Sequence, residues 1–188
     1  PVVFIIMDGI GIGKNNEGNA KFLARMPNLD RVCKKYLYTE LKAHGRAVGL
    51  PSDADMGNSE VGHNAFGAGR VFDQGAKLVS GAIENGNIFK TETWKYLIKR
   101  PVSEDKQLHL IGLLSDGNVH SHIDHLFSIV GAASKEGVKK VKLHILLDGR
   151  DVPETSALEY VEKLEAFLKE FRDKGLDYRI ASGGGRMV

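Results

Sequence analysis

The sequence predicts an α/β protein built on a parallel sheet. Three observations carry that reading. Between residues 108 and 181, apolar runs of strand length alternate with longer runs of helical period. The short runs are nearly continuous in Leu, Ile and Val, as in strands buried on both faces. Each of them ends in a polar, glycine-rich loop. The order strand–helix–strand–helix–strand implies parallel pairing through right-handed crossovers.

The elements follow in order. Val2 to Met7 is β-branched and apolar, and reads as a buried strand ending at Asp8. That places Asp8 at the carboxyl end of a strand, where open α/β sheets bind their ligands. Pro27 suits the first turn of a helix containing Leu29 and Val32. Thr39 to His44 is a weaker strand candidate. Gly45 to Asn58, rich in Gly, Ser and Asp, reads as a loop leading into a helix at Ser59. Gln74 to Asn85 is a short helical pattern closed by the turn signal Asn85-Gly86-Asn87. A domain crossover is expected there, dividing residues 1–73 from residues 74–188. Beyond it, strands are expected over Leu108 to Leu114, Val141 to Leu147 and Tyr178 to Ala181. Between them lie helices over Ile123 to Lys135 and Ser156 to Lys174, the latter with Leu158, Val161, Leu164, Phe167, Leu168 and Phe171 inward.

The chain has 188 residues, 42% hydrophobic, with a formal charge of +2. That suffices for a buried core in one or two domains. No Lys/Arg block stands out, so nucleic acid and membrane surfaces have no compositional support as partners. Cys33 is the only cysteine, which forbids an internal disulfide and fits a reducing compartment. It reads as a packing residue of a short helix. No apolar run reaches membrane-spanning length and no signal-peptide pattern is present, so a cytoplasmic location is expected. The opening at Pro1, directly in an apolar run, reads as a trimmed or processed start. Val188 falls just past a strand.

Two features suggest chemistry. Ser59 lies between a Gly57-Asn58 turn and a helix start, where unpaired amides and the helix dipole favour an anion beside its hydroxyl. That suits a serine that carries a phosphoryl group; a simple N-cap is the competing reading. His63, one helical turn on, reads as structural or as a neighbour of the site. Second, the parallel strands end in Ser115-Asp116-Gly117, Asp148-Gly149-Arg150-Asp151 and Ser182-Gly183-Gly184-Gly185-Arg186. Two arginines converging with carboxylates suggest a small anionic ligand held bidentately. A local Arg150–Asp151 salt bridge at ordinary turns is the alternative.

Other motifs compete. Gly9-Ile10-Gly11-Ile12-Gly13 invites a dinucleotide, but Lys14 stands where the third glycine of that template is needed. His120-Ser121-His122-Ile123-Asp124-His125 resembles the zinc motif of metallo-β-lactamase-fold hydrolases. His44 and His144 read as ordinary strand residues, and Trp94 as a packing anchor.

Five segments together resemble cofactor-independent phosphoglycerate mutases of the alkaline-phosphatase superfamily. In order they are Met7-Asp8-Gly9-Ile10-Gly11, Met56 to Arg70 around Ser59, Gly112 to His122, Leu147 to Pro153, and Ala181 to Met187. The resemblance implies an α/β fold in which part of an alkaline-phosphatase-like parallel sheet carries an inserted second α/β domain. It implies interconversion of 3-phosphoglycerate and 2-phosphoglycerate through phosphoserine at Ser59, without bisphosphoglycerate. It implies two divalent metal ions, Mn²⁺ or alternatively Mg²⁺ or Co²⁺, with Asp8 and Ser59 among their ligands. His120, Arg150, Asp151 and Arg186 would hold the substrate, while His122 and His125 would cap or pack the following helix. The remaining ligands of the family have no counterpart in these residues. A missing C-terminal half, a monomer, a place in glycolysis and an inactive isolated chain are therefore expected. A phosphatase or phosphopentomutase of the same superfamily is the nearest alternative.

Overall fold

Leu108–Leu114 (β1), Lys140–Leu147 (β2) and Asp177–Gly185 (β3) form a parallel sheet in the order β1-β2-β3. β1 pairs with β2 without a break from Leu108 opposite Val141 to Leu114 opposite Leu147. β2 and β3 shift register once: Leu143 faces Ile180 while His144 faces Ser182, which leaves Ala181 as a bulge. β3 runs further than its apolar residues predict. The backbone of β2 offers hydrogen bonds whatever the side chain, so pairing continues through the glycines to Arg186 N–H, which donates to Leu147 O at 2.9 Å.

The computed structural model describes residues 1–186; Met187, the end of the fifth motif, and Val188 lie outside the described residues. It separates into two units, Pro1–Lys42 and the residues from Ala43 onward. In the first, Ala20–Leu23 (α1) and Pro27–Lys35 (α2) are helical, with Pro27 at the start of α2 as expected. Val2 to Met7 does not form the predicted strand, and neither does Thr39 to His44. A buried parallel strand needs hydrogen-bonded neighbours, and none of the described residues pairs with these segments. Val2 is accordingly 96% exposed. Cys33 is exposed on α2 rather than packed, because α2 has no buried residue.

In the second unit the helices are Ser59–Ala68 (α3), Gly75–Glu84 (α4), Glu92–Ser103 (α5), Ile123–Lys135 (α6) and Ala157–Arg172 (α7). α5 was not legible as a helix, since Pro101 interrupts its pattern; Thr91 caps it by accepting from Trp94 N–H. Trp94 is buried edge-on against Phe89, their centroids 5.0 Å apart, as a packing anchor should be. Right-handed crossovers in the order β1-β2-β3 put α6 and α7 on one face of the sheet. Phe127 and Phe167 stack there at 4.3 Å. The core is Val130, Ala133, Val138, Val141, Leu143, Leu164, Leu168 and Tyr178, all at most 1% exposed. This packing fixes the strands, and the strand ends carry the candidate site. No described helix is long and apolar enough to cross a membrane.

Candidate active site

The β2–α7 loop is organised by one carboxylate. Asp148 Oδ1 accepts from the backbone N–H of Gly149, Arg150 and Asp151 at 2.8, 3.0 and 3.1 Å. The chain thus wraps around its own aspartate as a nest. The same oxygen accepts from Arg186 Nη1 at 3.0 Å, and Arg186 Nη1 also reaches Asp151 Oδ2 at 2.6 Å. The Asp148 side chain is only 1% exposed, and its Oδ2 is buried without a hydrogen-bond partner among the described residues. Burial works to raise its pKa; nearby Ser115 Oγ, outside hydrogen-bond geometry, and the three amides hold it well below the usual carboxylate range. Asp148 is therefore a fixed negative charge.

His120 joins this cluster from the β1–α6 loop, its Nε2 lying 3.9 Å from Asp151 Oδ2. That loop is packed tightly. A Cβ on Gly117 would come within 2.8 Å of Asp151 Cβ, so only glycine permits the approach. Its neighbour Asp116 accepts from Tyr160 Oη of α7 at 2.6 Å, a bond that, with burial, pushes the phenol up to about 12. His120, Asp151 and Arg186 thus meet at the carboxyl ends of the three strands. Arg150 keeps its backbone in the nest while its exposed guanidinium makes no ion pair among the described residues. The expected alternative, an Arg150–Asp151 bridge, is not what forms: Asp151 pairs with Arg186.

The Ser59 loop lies in the same unit. Asn58, not Ser59, caps α3, its Oδ1 accepting from Val61 N–H at 3.0 Å. Ser59 is the first helical residue and is exposed, at the positive end of the helix dipole. His63 Nδ1 lies 2.7 Å from Ser59 O and 3.3 Å from Ser59 Oγ. A carbonyl oxygen only accepts, so Nδ1 carries the proton there and His63 is no base toward this serine. A Cβ on Gly57 would stand 1.9 Å from Ala43 O, which pins the turn before Ser59. Asp8 belongs to the first unit, in the turn closed by Ile10 N–H to Met7 O.

The zinc reading of the histidine run fails on geometry. His122 caps α6 by accepting from Asp124 N–H, and His125 Nε2 is 2.9 Å from Ser80 Oγ. No group of three His, Cys, Asp or Glu among the described residues could hold a metal ion.

Residues 79–188 match the family model described as BPG-independent PGAM N-terminus. The chain belongs to the BPG-independent phosphoglycerate mutase N-terminal family. A probable 2,3-bisphosphoglycerate-independent phosphoglycerate mutase of Leptospira interrogans is 54% identical over all of this chain and 34% of its own length. The enzyme of that name from Trypanosoma brucei brucei is 48% identical over 99% of the chain and 34% of its own length. A Leishmania mexicana phosphoglycerate mutase, crystallised at low cobalt concentration, superposes with a TM-score of 0.89 at 50% identity. It covers 97% of this chain, which spans 33% of that one. The chain thus spans about a third of the length of the mutases it matches.

The contacts made by Asp148 and Asn118 are ones that motif reading passes over. An Asp-Gly pair at a strand end signals an Asx turn, so the role of Asp148 was within reach. Nothing in the sequence signals that Asn118 Nδ2 donates to Asp55 Oδ1 at 3.1 Å, across 63 residues.

Proposed function

We propose that this chain is the N-terminal third of a cofactor-independent phosphoglycerate mutase. Within it, residues 74–188 belong to the substrate domain inserted into a phosphatase-like sheet. The observation that carries this is the cluster of His120, Asp151 and Arg186 at the strand ends, beside an Arg150 that makes no ion pair among the described residues. Asp148 and Asp151 both engage Nη1 of Arg186, which leaves the other donors of its planar fork for substrate oxygens. Arg150 and Arg186 hold the carboxylate and phosphoryl oxygens of phosphoglycerate, and Asp151 and His120 take its hydroxyls. The relatives' names favour this over a phosphatase or phosphopentomutase.

Ser59 Oγ bonds to the substrate phosphorus as the ester bond to the C3 oxygen breaks, and the serine proton ends on that oxygen. Glycerate turns within the arginine clamp, and its C2 hydroxyl takes the phosphoryl group back, returning a proton to Ser59. The positive end of α3 favours the phosphoryl oxygens throughout. Asp8 and Ser59 are two donors toward divalent ions, Mn²⁺ first, with the other donors outside this chain; bound there, such ions would acidify a hydroxyl and neutralise phosphoryl charge. The cobalt at which the Leishmania enzyme was crystallised and the bisphosphoglycerate-independent names of the relatives support that reading. A cytoplasmic monomer acting in glycolysis completes it. The test is Ser59→Ala in the full-length protein: mutase turnover is lost while the melting temperature holds. Retention of more than about a few per cent of activity rules out a covalent serine.

A further inference from the structure

We propose that Asn118 and Asp55 are positioning residues whose hydrogen bond fastens the Ser59 loop to the His120 loop and so sets the reach of the serine toward bound substrate. The inference rests on the mutase reading of Ser59 and His120.

The bond joins two segments that each have little slack. On one side, Asp55 Oδ2 accepts from Ser52 N–H at 2.6 Å, and Asp55 O accepts from Gly45 N–H at 3.1 Å. Two residues later, Gly57 N–H donates to His44 Nδ1 at 2.9 Å, against the backbone of Ala43. Asn58 then caps α3. Every second or third residue between Asp55 and Ser59 is tied down, so a displacement of Asp55 is passed to Ser59. On the other side, Asn118 has φ +55, a left-handed conformation that few residues other than glycine adopt. Gly117 before it donates to Ser115 Oγ at 3.0 Å and presses on Asp151. A displacement of Asn118 is therefore felt at Asp151, and through it at Arg186 and His120.

The bond itself is strong for its kind. Asp55 is half-buried, and although burial opposes it, the hydrogen bonds from Asn118 and Ser52 keep its carboxyl below the ordinary carboxylate value. The acceptor is thus ionised, which roughly doubles the strength of an amide donor's bond. Neither residue needs to touch substrate. Its effect is on the distance and angle of in-line attack, to which rates are steep.

The test uses the full-length protein. Asn118→Gly keeps the left-handed backbone and deletes only the amide; Asn118→Asp sets a carboxylate against Asp55. With 3-phosphoglycerate, kcat falls by about tenfold in Asn118→Gly, the worth of one hydrogen bond to a charged group, and further in Asn118→Asp. KM stays within about twofold, because Asn118→Gly removes no substrate-holding group and Arg186 stays held by Asp148 and Asp151. The ratio of inorganic phosphate released to 2-phosphoglycerate formed rises several-fold, as a looser junction admits water to phosphoserine. That ratio is a property of each active molecule, so it reads the role even if part of a variant is misfolded. Unchanged kcat and an unchanged ratio in Asn118→Gly overturn the proposal, as does a raised KM with kcat intact, which would make Asn118 a substrate contact. A wild type without mutase turnover sinks the underlying reading and this one with it; an active wild type with an indifferent Asn118→Gly sinks this one alone.

Discussion

Replacing Asp148 by alanine removes the centre of the cluster without replacing any residue proposed to meet substrate, although it frees Arg186 and the Arg150 and Asp151 amides from their shared acceptor. Four donors lose their acceptor: the amides of Gly149, Arg150 and Asp151 and Nη1 of Arg186, all within 3.1 Å of one oxygen. At roughly 1.5–3 kcal/mol for each bond to a charged group, a simple sum would be about 6–12 kcal/mol. Burial of a carboxylate that is 1% exposed, with Oδ2 unpaired, cancels part of that sum. Removing one partner of a buried ion pair costs about 3–5 kcal/mol, which is the expected loss here. Asp151 remains to hold Arg186, which keeps the loss from the upper limit. For a protein of this size the melting temperature then drops by on the order of 10 °C. Asp148→Asn, which keeps a neutral acceptor of the same shape, falls by less and retains part of the substrate affinity. The sign with pH follows from the depressed native pKa: the stabilisation is present above the ordinary value of 3.8 and is lost as pH falls below it. Thermal and urea unfolding of both variants at neutral pH measure this. A loss below about 1 kcal/mol for Asp148→Ala would mean that the nest is held by other contacts and that the account of the cluster is wrong.

Other outcomes follow from the same structure. Arg150→Lys raises KM for phosphoglycerate by about tenfold or more, because a point charge cannot replace a bidentate fork; unchanged kcat and KM would leave Arg150 a surface residue. Burial first, and then the neighbouring His122, lower the pKa of His125, so its contribution to stability is full above the ordinary value of 6.5 and declines as pH falls. Melting temperatures at pH 7.5 and about pH 5.5 should therefore converge in His125→Gln relative to wild type, and parallel shifts would contradict this. The 188-residue chain expressed by itself shows no mutase turnover with Mn²⁺, Co²⁺ or Mg²⁺. Ions of this kind take roughly four to six donors each, and the described residues hold no group of three candidates. Robust turnover would mean that the metal site is complete here.

The sheet and its helices were legible because their stabilisation is local and periodic. β1 and α6 fall where hydrophobic spacing puts them, Leu108–Leu114 and Ile123–Lys135. Val2 to Met7 has equal strand character and no strand, because pairing is a property of two segments and the sequence of one carries no information about the other. α5 was hidden by Pro101, whose cost is offset by burial of Trp94, Ile98 and Pro101 itself. At the site, residue types suggested the arginines and the serine, because bidentate forks and hydroxyls have few uses at strand and helix ends, whereas His120 was singled out only by the family resemblance. What they engage was not legible. Arg186 pairs with Asp148 and Asp151, and Asn118 reaches Asp55, each through tertiary geometry that only the folded chain sets. Asn58 takes the cap offered to Ser59 because the helix starts one residue earlier than that reading needs.

The central claim is that Ser59 carries the phosphoryl group. Its most direct test is to incubate the full-length protein with 3-phosphoglycerate, quench with acid during turnover, and map the modified peptide by mass spectrometry. The account predicts one phosphoryl group on the peptide containing Ser59, absent from Ser59→Ala and exchanging with added substrate. Phosphate on a histidine such as His63 or His120, or turnover with no phosphorylated peptide at all, would contradict it.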